Sequence, residues 1–516
     1  MDLKLILSKG YFPRELPHPF NTASYGSVVA GATTSLPKAF DQEKKTSLQA
    51  VHNLARAGSL RRKLSIPNPT NFYRLASFVA DHWRYLSRVA RKSAISLSAP
   101  TDRGEPRAIN PRYSLDRMPL ERARVRAGSK FILRADISRF YPSVYTHSIP
   151  WAIHTKATAK ANRSTRLIGN ALDLHVRNAQ DGQTVGIPIG PDTSLLIAEI
   201  LLGAVDAQLL SKVHAMGFRN IDDYEFGFPS YAEAENALGF LQEILNQYEL
   251  ALNPKKTSVV QLPVPIECPC IAELRAFPFR GSALGQQGDL IRYFDRAFEM
   301  SAEDPDEGIL KYAIACMNGT VLRKKNWPLY QDLLAQCCLV EPGALRFVLA
   351  QLARYADEYK IRKATFRRCL NQLIVQHAPL GHGSEVAWAI WGLMLLRSRL
   401  NTAAAKAAST MEDPVVALMV LDAHSKGLTP KGSSFSHFAT HMTPRDLYGD
   451  HWLLAYEADV KGWLPPAGTK NHVHADPCFK YLKTEGVSFY DDSLTMACAV
   501  TRSLAETGGG GGGGYD

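Results

Sequence analysis

The chain lacks an apolar run long enough to cross a bilayer, which takes about 20 residues, and its most apolar stretch, Ala387 to Leu396, is about half that length. The opening MDLKLILSKGYFPRELP has no small-residue cleavage site, and Asp2, Lys4 and Lys9 interrupt its apolar patch, so a secretory leader is not expected. Cysteine is sparse, eight in 516 residues, with no C-x-x-C pair. Cys268 and Cys270 are one residue apart and Cys337 and Cys338 are adjacent, and neither spacing is a zinc half-site. Buried reduced thiols are the expected state, and with them a reducing, cytoplasmic compartment. No internal repeat is sharp enough to name.

What is present points to a globular protein. Hydrophobic residues make up 46% and charged residues 21%, and the length asks for more than one core. A net charge of +11 favours a nucleic-acid partner without requiring one. Three zones follow along the chain. Residues 1 to about 285 mix short β-like runs with helices. From 286 to 505 the pattern is helical: Leu345, Val348, Leu349, Leu352 and Tyr355 recur at helical spacing, as do Val415, Leu418, Met419 and Asp422. Residues 506 to 516 end in seven glycines, Gly508 to Gly514, then Tyr515 and Asp516, and cannot bury a core.

The first zone holds a constellation with chemistry. In FILRADISRFYPSV, the apolar Phe131, Ile132 and Leu133 suit a buried strand, and Asp136 falls at its end. In FRNIDDYEFGF, Asp222 and Asp223 lie between two β-like runs, as at a hairpin tip. Side chains alternate along a strand, so one aspartate of the pair, taken to be Asp222, should face Asp136. Nucleotidyl transfer needs two divalent ions roughly 3.5–4 Å apart, and carboxylates on neighbouring strands can hold them. Asp136, Asp222 and Asp223 form the expected metal set, for Mg2+ with Mn2+ as the alternative. Phe489-Tyr490-Asp491-Asp492 has similar letters but lies in the helical zone and reads as a turn or helix start.

Around these aspartates, Phe140 and Tyr141 are either core rings or part of the substrate surface, with Tyr141 as the ring beneath the sugar. Gly186 to Pro191, with Gly190, forms a loop whose small residues suit close approach to a base pair, and the helix after it opens at Asp192 or Thr193. Arg107 in GEPRAINP has a guanidinium fork able to hold triphosphate oxygens. Lys256 in LNPKKT is placed to protonate a leaving pyrophosphate. For each, an ordinary structural or solvated role is the alternative. The cluster Arg61, Arg62 and Lys63 is either an RNA-phosphate contact or a solvated helix face.

In order, these motifs (R-x-I-x-x-P, D-x-x-x-x-Y, the Gly/Pro loop, x-x-D-D and L-N-x-x-K-T) resemble the fingers and palm of reverse transcriptases over roughly residues 100 to 260. FYPSVYTHSIPWAIHTKATAKANR, GIPIGPDTSLLIAEI and the opening GYFPRELPHPF are similar to AbiK and other defence-associated, unknown-group bacterial reverse transcriptases. The resemblance implies an α+β fold, a reverse-transcriptase fingers and palm domain followed by an α-helical, HEAT-like half. It also implies antiphage defence, homo-oligomers and DNA synthesis from dNTPs, primed by protein and covalently attached to it. The template is either none or a short non-coding RNA. The priming tyrosine is then Tyr515 on its glycine tract, or Tyr11 or Tyr25 near the N-terminus. The tyrosine expected before x-D-D is Asn220 here, which bears on primer handling and not on the metals. An inactive polymerase-like scaffold that binds RNA or a phage protein is the alternative, and the retained aspartates speak against it.

Overall fold

A computed structural model describes residues 1–32, 36–42, 45–56 and 60–494. The glycine-rich end, with Tyr515, lies outside the described residues.

Two short hairpins come first, β1 (Ala50–Ala55) with β2 (Arg61–Ile66) and β3 (Pro100–Thr101) with β4 (Asn110–Pro111). Then β5 (Phe131–Asp136), β6 (Met216–Asn220), β7 (Asp223–Phe228) and β8 (Ser258–Gln261) form an antiparallel sheet in the order β6-β7-β5-β8. Alternation sets the faces of β7. Tyr224, Phe226 and Phe228 share one face and are buried, with the Tyr224 hydroxyl donating to Asp206 of the helix Asp192–Lys212. On the other face the buried Glu225 is ringed by Arg122, Arg126 and Arg134. Gly227 is required there. A Cβ would lie 2.4 Å from the Val125 carbonyl, so the helix Arg117–Arg126 rests directly on the strand.

The helix Asp192–Lys212 corrects one expectation. By length and composition it could cross a membrane, but 72% of its most apolar window is buried inside the fold. Glu199 and Asp206 interrupt its apolar letters, which hides its length in the sequence, and both are fully buried.

The C-terminal half is helical, and the α+β division expected from the sequence is what the chain adopts. Leu345, Val348, Leu349, Leu352 and Tyr355 are all buried on or just after Leu345–Arg354, and Val415, Leu418, Met419 and Asp422 are buried on Pro414–Ser425. The main apolar cluster runs across the change near residue 285, from Ile6 to Tyr490. Across this seam, Trp388 and Trp452 donate their indole N–H to the carbonyls of Glu15 and Ile66, at 3.1 and 2.9 Å. His52 of β1 meets Asp413 at 2.8 Å. Phe489 stacks among Phe12, Tyr25 and Trp452, and Tyr490 forms an isolated bridge with Phe20, with Asp492 in the turn that follows.

Two further expectations are corrected here. Arg61 is on a strand, not a helix, and its guanidinium grips both carboxylate oxygens of the buried Glu385, so it is a seam residue and not an RNA contact. Cys268 and Cys270 are half-buried and joined in a disulfide, because their Cα atoms lie 5.5 Å apart at the start of the helix Pro269–Ala276. Cys337 and Cys338 are buried free thiols, as expected.

Candidate active site

The aspartates meet where three segments end. Asp136 is the last residue of β5, and Asp223 is the first of β7 and its direct partner in register. Residues opposite each other in an antiparallel pair share a face, so it is Asp223, not Asp222, that faces Asp136 across the ladder. The letters of one strand do not encode this register. Asp222 occupies the two-residue turn, where its carbonyl accepts from the Ile137 N–H at 3.2 Å. Asn220, half-buried, is the other partner of Asp223 at the hairpin end.

The electrostatics of the trio are crowded. Desolvation at the turn, then the carboxylates of Asp222 and Asp136, push Asp223 up to about 7. Much of Asp223 is open to solvent, so the like charges carry the larger share of that rise. Lys256 donates to Asp136 Oδ2 at 3.1 Å. Burial works against its ammonium, but the hydrogen bond and charge of Asp136, with Asp223 beyond, outweigh it and hold Lys256 above its ordinary range. The turn that carries Lys256 is pinned to the same aspartate, since the Asn253 N–H donates to the Asp136 carbonyl at 2.7 Å. Three carboxylates against one lysine leave an excess of negative charge at oxygen donors. A divalent cation of the Mg2+ type suits that donor set, with Asp136, Asp222 and Asp223 as its holders.

A buried frame that the sequence reading did not single out supports the hairpin. Arg219, fully buried on β6, pairs with Glu199 at 2.9 Å and Asp206 at 2.8 Å, and its Nη1 donates to the Ile221 carbonyl at 2.7 Å. Ser96 and Ser98 donate to Glu199, and Ser93 and Tyr224 to Asp206. Ser98 also accepts from the Ile221 N–H at 2.7 Å. Ile221 has φ +52, a strained conformation for a β-branched residue, and the frame grips both its amide and its carbonyl. Burial opposes charge on this arginine, and the two carboxylates hold it charged. One signal was available in the letters: Glu199 and Asp206 stand seven residues apart in an otherwise apolar helix, hence on one side of it.

The remaining residues divide. Tyr141 is half-buried, its carbonyl accepts from the Ile187 N–H at 2.9 Å, and it therefore borders the Gly/Pro loop. Phe140 is 2% exposed and belongs to the core, not to the substrate surface. Arg107 is engaged by the fold: its guanidinium bonds Asp192 at 2.7 Å and the carbonyls of Phe12 and Gly190, which removes its fork from triphosphate binding. Gly190 has φ +135, and a Cβ there would lie 2.5 Å from Pro13 Cγ, so its smallness serves the N-terminal segment and not a base pair. Tyr11 and Tyr25 are fully buried and donate to the carbonyls of Pro67 and Pro69. A tyrosyl oxygen locked in the core cannot enter the site, so neither is a primer.

The four-stranded sheet thus brings Asp136 at the end of β5, Asp222 and Asp223 at the β6–β7 hairpin and Lys256 just before β8 to one edge. Residues 66–275 match the family model of the reverse transcriptase (RNA-dependent DNA polymerase), so the chain carries a reverse-transcriptase domain, the module of RNA-directed DNA polymerases. A comparison with curated proteins finds no match. Among solved structures, the chain is similar to apo telomerase from Candida tropicalis at 10% identity and a TM-score of 0.31, over 61% of this chain and 66% of that one. It is also similar to telomerase from Candida albicans in complex with a TWJ fragment of telomeric RNA, at 12% identity and a TM-score of 0.30, over 72% and 70%.

Proposed function

We propose that this chain is a DNA polymerase of antiphage defence, building DNA from dNTPs by two-metal nucleotidyl transfer on a primer that the protein itself supplies. The observation that carries the polymerase reading is the convergence of Asp136, Asp222, Asp223 and Lys256 within a reverse-transcriptase domain. Bound Mg2+ would supply Lewis-acid stabilisation of the reacting phosphate and its leaving group. The chain's own part is to orient the carboxylates through the Arg219 frame and to keep a proton on Lys256 Nζ beside the site. The defence role rests on the resemblance of GYFPRELPHPF and GIPIGPDTSLLIAEI to the AbiK-like group. With Tyr11 and Tyr25 buried, Tyr515 is the remaining primer of the three considered. The same resemblance leaves the template as either none or a short non-coding RNA.

Incubating the purified chain with each labelled dNTP separately, with and without prior nuclease treatment, tests this reading. Incorporation of a single nucleotide after nuclease treatment supports untemplated synthesis, and incorporation lost with the nuclease points to a resident RNA. Replacing Asp136 with Ala should raise the barrier by about 5 kcal/mol, more than a thousandfold in rate. Full activity of Asp136→Ala, or none from the wild type with either Mg2+ or Mn2+, sinks the polymerase proposal. Mapping the nucleotide-bearing peptide by mass spectrometry tests the primer, and an adduct anywhere but on Tyr515 ends that part alone.

A further inference from the structure

Far along the chain from the polymerase sheet, one side-chain cluster has the chemistry of a ligand set. Glu412 precedes the helix Pro414–Ser425, His437 and His441 lie in and just after the helix Ser436–Ala439, and His451 caps the helix Trp452–Val460. Three imidazole Nε2 atoms surround the one carboxylate. His437 is 3.0 Å from Oε1, and His451 and His441 are 3.1 and 3.6 Å from Oε2. Ligands about 2.0–2.1 Å from a tetrahedral ion stand about 3.3–3.4 Å from one another, and these separations bracket that edge. The Nε2 atoms of His437 and His441 are buried and have no hydrogen-bond partner, despite the carboxylate beside them.

His441 is also held from its far side. Its Nδ1 bonds Asp446 at 3.2 Å, and Asp446 also accepts from the Thr443 hydroxyl. With Nδ1 engaged by Asp446, Nε2 is the ring atom that faces Glu412, at 3.6 Å. A carboxylate behind the far nitrogen is also how metal-bound imidazoles are oriented and made more basic.

We propose that Glu412, His441 and His451, with His437 at the rim, form a zinc-type transition-metal site that ties three helix ends together. Imidazole and carboxylate donors suit Zn2+ and its neighbours better than Mg2+. The rings of His441 and His451 are stacked, with centroids 3.6 Å apart. The site adjoins the seam, because Asp413, next to Glu412, holds His52 of β1. The group His377, His382 and Glu385 does not qualify: its histidines bond each other at 2.9 Å, and Arg61 occupies Glu385.

The test is metal analysis of the full chain after loading with ZnCl2 and dialysis into metal-free buffer. Wild type and Asp136→Ala should each retain about one equivalent at the cluster, and the double variant His441→Gln/His451→Gln should retain roughly a tenth of that. The Asp136→Ala arm keeps zinc at the polymerase carboxylates from being mistaken for this site. Cobalt substitution gives a second readout, a visible band of four-coordinate Co2+ in wild type that Glu412→Gln removes. Glu412 is exposed, so that variant remains informative if the double variant fails to fold. Wild type that retains no zinc, zinc that survives loss of both histidines, or a cobalt band unchanged in Glu412→Gln overturns the site.

Discussion

Two regions of this chain bury charge in opposite ways. Beneath the catalytic hairpin, Arg219 is enclosed with Glu199 and Asp206, and opposite charges compensate one another at full burial. At the seam with the helical half, Glu457 is equally buried, but its hydrogen bonds come from neutral donors, the Ser488 hydroxyl and the Phe489 N–H at 2.8 Å, with the charge of Lys461 a lesser influence. Desolvation pushes Glu457 up to about 7, the hydrogen bonds only partly opposing it. The difference follows from what each region does. The hairpin has to display Asp222 and Asp223 in one geometry at every working pH, and a charged frame gripping both sides of Ile221 achieves that. The seam has only to hold the segment around Phe489 against the N-terminal core, and packing does most of that.

The largest effect should come from breaking the frame. Arg219→Met leaves two carboxylates buried without a cation, and loss of one partner from such a group costs about 4 kcal/mol of stability. Urea denaturation measures it. Arg219→Lys restores a charge, but a single ammonium cannot reach Glu199, Asp206 and the Ile221 carbonyl together, so polymerase activity should stay low even where stability partly recovers. A loss below about 1 kcal/mol in Arg219→Met, the size of a surface pair, would show that the frame does not hold the hairpin.

The second effect sharpens the contrast through pH. The folded-state value of Glu457, about 7, lies above its ordinary value of 4.5, so the folded chain binds that proton more tightly than the unfolded one. The stability this contributes is fully present below about pH 4.5 and is lost as pH rises through 7, a swing of about 3 kcal/mol. Glu457→Gln, which mimics the protonated form, should flatten the stability profile over that window. Thermal unfolding midpoints at a series of pH values check it, and identical slopes in wild type and variant would refute the assignment.

The same contrast explains what the sequence made legible. Asp136 and the Asp222–Asp223 pair were readable because apolar runs of strand length flank them, and the helical half was readable from the spacing of Leu345, Val348, Leu349 and Leu352. Which aspartate faces Asp136 was not, because register depends on pairing between strands that the letters of one strand do not encode. Arg107, Gly190, Tyr11 and Tyr25 sit in motifs that suggest substrate or primer, yet their partners are Asp192, Pro13, Pro67 and Pro69, contacts set by tertiary packing. Arg219 escaped notice because a single arginine in a strand looks solvated until Glu199 and Asp206 are brought beneath it.

The smallest effect belongs to Tyr141, which lies in the polymerase region but outside both the Arg219 frame and the seam. Its neighbour Phe140 follows Arg139, whose φ of +46 turns the chain sharply after the catalytic strand, and takes the core position. The ring of Tyr141 meets that of Phe140 edge-on, 5.3 Å between centroids, and its backbone is tied to the Gly/Pro loop through Ile187. Tyr141→Val therefore removes a half-buried ring beside the site and leaves the metal carboxylates and the buried arginine intact. If that ring lies beneath the incoming sugar, the space it vacates admits a 2′-hydroxyl, and preference for dNTP over rNTP should fall by roughly ten- to a hundredfold, about 1–3 kcal/mol. Competition between labelled dNTP and rNTP reads this directly, and unfolding of the same variant reads the fold. Unchanged discrimination with reduced stability would make Tyr141 a packing residue like Phe140. Changed discrimination at nearly constant stability would separate selection of the sugar from both of the buried charge systems.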